Sequence, residues 1–166
     1  YANADCLAWG PFAVALVFMA TFLGGCAGST AGGVKTYRWI ALYGIMRRSL
    51  DRFIYPSIVV SVRSGSDIVD EETLDIVLLF FAAFILLWSL LTVALTLTGT
   101  DFLTSLSGIL TALANVGPGL GPIIGPTGNF APLSDAAKWI LSFAMLLGRL
   151  EIFTVLVLLA PAFWRE

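Results

Sequence analysis

A chain of 166 residues that is 58% hydrophobic and only 12% charged has the composition of an integral membrane protein, since soluble domains carry about 25% charged residues. Its net charge of −2 argues against nucleic acid, which calls for a basic face. The absence of histidine removes the commonest general base and metal ligand. Cys6 and Cys26 have no metal-type spacing, so neither a metal site nor a structural disulfide is expected.

Trp9 to Leu23 is apolar and helix-compatible. The next ten residues, Gly24-Gly25-Cys26-Ala27-Gly28-Ser29-Thr30-Ala31-Gly32-Gly33, hold five glycines and no charge. Helix then resumes over Val34 to Leu50, carrying Lys35, Arg38, Arg47 and Arg48. Unbroken helix from Pro11 to Leu50 would measure roughly 60 Å, twice the hydrocarbon thickness of about 30 Å. A break is therefore expected, and broken helix at membrane depth survives only inside protein or beside a wet cavity. Gly24, Gly28 and Gly32 also form a double GxxxG, the packing pattern of membrane helix dimers. That leaves a non-transporting scaffold as the alternative. A phosphate loop is excluded because Val34 separates Gly33 from Lys35 and no strand precedes it.

Residues 51–70 form a linker with a β-prone run, Ile58 to Val62, and a turn signal at Arg63-Ser64-Gly65-Ser66-Asp67. They predict a hairpin outside the membrane. Ile76 to Leu97 holds no charge over 22 residues and is the clearest spanning helix, with 73–97 as its expected extent. Phe102 to Ala114 is apolar and amphipathic but too short to span, and Asp101 is placed to cap it. The glycine-proline run Asn115-Val116-Gly117-Pro118-Gly119-Leu120-Gly121-Pro122 follows. A short helix feeding such a loop between two spanning helices predicts a re-entrant segment. The last helix is expected over 135–164, with Arg149 near its middle. An arginine at membrane depth costs about 2.5–3.5 kcal/mol or more and must face a cavity or a partner.

Lys35, Arg38, Arg47, Arg48, Arg52 and Arg63 all lie between the first two spans, and Thr98 to Ala137 has no lysine or arginine. The positive-inside rule puts the first connection in the cytoplasm and the re-entrant loop outside. Trp9 and Trp139 then fall near the outer interface, Trp39 and Trp164 near the inner one. The predicted class is an all-α membrane protein, built of helix–re-entrant P-loop–helix repeats of potassium-channel type with a broken inner helix. Backbone carbonyls at Asn115 to Gly119 would replace the hydration water of a cation. The negative end of the helix Phe102 to Ala114 would favour it. Arg149 would raise a local barrier beside the glycine break. An enzyme is not expected: the carboxylate well inside a span, Glu151, has no partner base in view.

The stretches "GGCAGSTAGGVKTYRW", "ALANVGPGLG" and "MLLGRLEIFTVLVLLAPAFW" occur in the order found in the membrane subunit of Trk-type potassium uptake systems, within the wider Trk/Ktr/HKT superfamily, and the chain resembles that family throughout. The resemblance implies four concatenated repeats around one pore. Residues 1–50 would be the inner helix of the third repeat and residues 71–166 the whole fourth. Asn115, Val116, Gly117, Pro118 and Gly119 would be the fourth filter, with potassium on the carbonyls of Asn115 and Val116. Gly24, Gly25, Gly28, Ser29, Thr30, Gly32 and Gly33 would form the gate loop, faced by Arg149. The resemblance further implies a multi-pass protein of the bacterial inner membrane, a homodimer among lipids, moving potassium without an organic cofactor. A cytoplasmic nucleotide-binding ring would regulate it, docking on the basic half-helix Lys35 to Arg52 and the hairpin to Ser66. Ala31 stands where the family often has glycine, which would stiffen the loop. The other three filter segments lie outside these residues.

Overall fold

The computed structural model describes residues 6–26, 32–55, 63–64, 67–68, 70–150, 154 and 164. A 3-10 turn at Cys6–Trp9 leads into α1 (Pro11–Leu23), followed by α2 (Thr36–Ile54), the two-residue strands β1 (Arg63–Ser64) and β2 (Asp67–Ile68), α3 (Glu71–Thr96), α4 (Phe102–Ala114) and α5 (Asp135–Arg149). The strands pair antiparallel, Arg63 opposite Ile68 and Ser64 opposite Asp67, within the segment expected to turn, while the β-prone run Ile58 to Val62 lies outside the described residues.

The first long helix does break. Pro11 opens α1, where its missing N–H costs nothing. Gly24 closes it at φ +64°, a conformation open to glycine at little cost. Helix resumes at Thr36 rather than Val34, because Val34 turns inward and is 1% exposed. The two halves stay tied. The Thr36 N–H and hydroxyl both donate to the Gly25 carbonyl at 3.0 Å, and Trp39 Nε1 donates to the Phe22 carbonyl at 3.3 Å. These bonds occupy acceptors that a helix end otherwise leaves unpaired. The glycines at 24 and 32 therefore share no helical face, which removes the GxxxG reading; Gly28 lies outside the described residues.

Among the described residues, α3 is the one helix long and apolar enough to cross a membrane. It leaves Ile76, Leu79, Leu86, Leu90 and Val93 exposed on one side and buries Leu74, Val77, Phe80 and Phe84 on the other. Phe22 of α1 meets Trp88 edge-on at 5.3 Å, and Trp39 of α2 meets Phe81 at 5.1 Å. Arg38, grouped by sequence with the cytoplasmic cations that dock a partner, is instead 6% exposed, its guanidinium 3.8 Å from the centre of the Phe80 ring. A cation over an aromatic face is attracted by the ring quadrupole, so this arginine packs α2 on α3.

The short helix α4 is the centre of the molecule. Thr104, Ser105 and every residue from Ser107 to Ala114 are buried, with α1, α3 and α5 packed around them. The amphipathic pattern expected of it is thus sheathed nearly all round. Small residues make this possible by letting neighbours close in. A methyl on Gly108 would sit 2.9 Å from Ile124 Cδ1 and 3.7 Å from Leu141 Cδ2. Trp88 Nε1 pins α3 to the Leu106 carbonyl at 3.0 Å.

Asp101 caps α4, accepting the Thr104 N–H at 3.0 Å. Thr104 beside it, through its side chain and then its bonded N–H, holds the Asp101 carboxyl below its ordinary value, although among the described residues the Thr104 hydroxyl makes no hydrogen bond. A depressed folded pKa means that this stabilisation is complete above the unfolded value of about 3.9 and is lost as pH falls through the folded one. We expect Asp101→Ala to lower stability at neutral pH by about 1 kcal/mol. Thermal unfolding of the full-length protein should show that difference shrinking below about pH 4.

Helix α5 begins at the Ser134 cap and buries Ala137, Leu141, Ala144 and Leu147 along one stripe. It covers the first half of the helix expected over 135–164. Leu150 leaves helical backbone at φ −83°, ψ 7°, and residues 151–153 and 155–163 lie outside the described set. Arg149 sits, exposed, in the last turn of α5.

Candidate ion pathway

The loop after α4 turns at Asn115, whose left-handed backbone (φ 54°) ends the helix. Its amides are anchored inward. Asn115 N–H donates to the carbonyls of Ala112 and Thr111, Val116 N–H to the Thr111 carbonyl at 3.0 Å, and Gly117 N–H to Thr111 Oγ1 at 3.0 Å. Pro118 has no N–H to place. Gly119 N–H donates to the Ile124 carbonyl at 2.8 Å, and Leu120 N–H to Ser107 Oγ at 3.0 Å. Ser107 and Thr111 stand one turn apart on α4, so a single buried face of that helix pins both limbs of the loop.

The carbonyls behave differently. Among the described residues, no donor reaches the carbonyl oxygen of Asn115, Val116, Gly117 or Pro118. These four residues are exposed, whereas Gly119 and Leu120 are buried. The loop thus turns a run of four exposed carbonyl oxygens outward while every available N–H is bonded inward. Gly117 makes it possible at φ +114°, with open space where a side chain would stand.

The glycine break lies against this loop. A methyl on Gly32 would stand 2.6 Å from Asn115 Nδ2 and 3.0 Å from the Ala114 carbonyl. One on Gly33 (φ +76°) would stand 3.1 Å from Ala114 Cα. From the other side, Gly148 of α5 leaves no room for a Cβ beside the Leu113 carbonyl, with Asn115 Nδ2 at 2.8 Å from that position. The Asn115 amide thus fills a slot between two glycines, 3.5 Å from the carbonyls of Leu113 and Met145.

Of the residues that sequence pointed to, Asn115 to Gly119, Gly32 and Gly33 come together here. Gly24 and Gly25 lie at the far edge of the break, where they join α1 to α2. Gly28, Ser29 and Thr30 lie outside the described residues. Arg149 follows Gly148 directly, at the α5 end nearest the slot. Sequence reasoning missed Ser107, Thr111 and Gly148. Ser107 and Thr111, spaced four apart among the four hydroxyl residues of this short helix, and a glycine beside Arg149 were the available signals.

Helices closed around a buried short helix, with one long apolar helix at the side, make the architecture of a helical membrane protein. The family model described as TrkH, cation transport protein, matches residues 1–166, and the chain belongs to that family. It is 50% identical over its whole length to the Trk system potassium uptake protein TrkI of Halomonas elongata, covering 34% of it. It is 41% identical over 95% of its length to TrkH of Salmonella typhimurium, covering 32%. The crystal structure of the potassium transporter TrkH from Vibrio parahaemolyticus superposes with a TM-score of 0.85 at 39% identity, over 95% of this chain and 33% of that one. The chain thus spans about a third of the length of these relatives. They are transporters, not enzymes.

Proposed function

We propose that these residues form the end of the third and all of the fourth repeat of a potassium uptake pore, as the family resemblance implies. The carrying observation is the loop 115–118, with its N–H groups tied inward and its carbonyl oxygens left for another partner. A cation that sheds water needs such oxygens in return. The C-terminal end of α4 points its partial negative charge at the same place. The loop is re-entrant, α4 entering from outside and the chain returning before α5. Gly32 and Gly33, seated against Ala114 and Asn115, form the near edge of a gate below the filter, with Gly24, Gly25, Gly28, Ser29 and Thr30 completing it. Arg149 adds a positive barrier.

The whole protein is then a multi-pass homodimer in the bacterial inner membrane, surrounded by lipid and carrying potassium as its cargo. A cytoplasmic nucleotide-binding ring reads as its regulator, docking near Lys35, Arg47, Arg48 and Arg52 but not through the buried Arg38. Three further repeats complete the filter. The dimerising scaffold loses its support because Gly24 and Gly32 lie off any shared helix.

Rubidium flux into vesicles holding the full-length protein tests this reading. Arg149→Ala should raise flux, because a cation no longer meets a fixed positive charge. Unchanged or abolished flux with intact assembly removes Arg149 from the pathway.

A further inference from the structure

The pathway as proposed assigns the oxygens that meet the ion but not what sets their spacing. We infer that Thr111 is the positioning residue that fixes ion choice at this filter, an assignment that rests on the reading of 115–118 as filter. Three successive amides converge on it. Asn115 and Val116 donate to its carbonyl, and Gly117 donates to its hydroxyl at 3.0 Å. The first two bonds belong to the main chain and survive any substitution. The third depends on the side chain alone.

That third bond sets the loop's turning point. Gly117 is at φ +114° with no atom within 4 Å of a Cβ position, so no side chain there could be gripped by neighbours. Pro118 contributes no N–H, and the next anchor is Gly119 N–H on the Ile124 carbonyl at 2.8 Å. Between Val116 and Gly119, the Thr111 hydroxyl is therefore the one tether of the backbone among the described residues. A cavity of about 60 Å³ is lined by Thr111, Val116 and Pro118 together with Phe18 and Thr21 of α1. The loop has room to move into that space once the tether is cut. Thr111 itself is 2% exposed, so water would not readily replace its hydroxyl. Spacing of carbonyl oxygens around an ion is what separates potassium from sodium, whichever of size or field strength dominates. A residue that touches no ion thus controls the choice.

The test uses the full-length protein in vesicles, with potassium and sodium flux measured side by side. Thr111→Val keeps shape and removes the hydroxyl. We expect the potassium-to-sodium flux ratio to fall about tenfold, the factor that a lost hydrogen bond worth about 1.4 kcal/mol gives. Thr111→Ser, which restores the hydroxyl, should keep the ratio of the parent protein. Thr111→Ala serves the same purpose as the valine variant should that one fail to assemble. A ratio unchanged in Thr111→Val or Thr111→Ala overturns the assignment, and so does a serine variant shifted as far as valine. If neither hydroxyl-free variant assembles, the hydroxyl is required for folding rather than ion choice and the assignment falls. Absence of potassium preference in the parent protein would instead overturn the filter reading itself.

Discussion

Gly148→Ala should abolish transport in the full-length protein while leaving most of its helices formed. A methyl at this position runs into the Leu113 carbonyl and crowds Asn115 Nδ2, 2.8 Å away. The obstruction is main chain from the last turn of α4, so no rotamer change relieves it. Either α5 retreats or α4 and the loop it carries shift. Overpacking of this kind costs about 1–3 kcal/mol, enough to displace a loop whose position depends on α4. Ser142→Ala, on the exposed side of α5, should transport normally. Rubidium flux and size-exclusion profiles of the two variants, measured together, separate a moved filter from an unfolded protein. Normal flux in Gly148→Ala would show that α5 does not seat the loop.

Removing the five residues 27–31 should leave the pathway leaky. Gly32 and Gly33 stand against Ala114 and Asn115, while Thr36 is bonded to Gly25 at 3.0 Å. A shortened link pulls the two glycines off the filter. If the closed state loses about 1.4 kcal/mol of contact, basal flux rises about tenfold. Basal flux into vesicles holding the full-length protein reads this directly. A deletion that still closes normally would mean that the break is structural and that the gate lies elsewhere.

The elements were legible where length and composition left one solution. An uncharged run of 22 residues can only be α3, and its bounds fall within two residues of 73–97. A largely apolar run of thirteen residues after a capping Asp101 reads directly as α4 over 102–114. The break was forced by arithmetic on helix length. What could not be read was mutual placement. Nothing in the sequence says that Gly32 stands against Asn115, or that Gly148 closes the same slot, because those contacts join segments more than thirty residues apart. Arg38 was misplaced for a related reason. Charge suggests a solvated face, and only the packing of α2 on α3 shows Phe80 beneath it. Thr111 escaped notice because a threonine in an apolar helix usually bonds within its own helix, whereas this one reaches across to Gly117.

The most direct measurement is the cation position in the full-length protein, determined by diffraction from rubidium- or thallium-soaked crystals using anomalous signal. Uncoiled main chain at 115–118 beside the glycine break should hold a peak against the carbonyl oxygens of Asn115 and Val116, on the side away from Thr111. A filter peak held wholly by other repeats, with these carbonyls bonded to protein donors, would contradict the account.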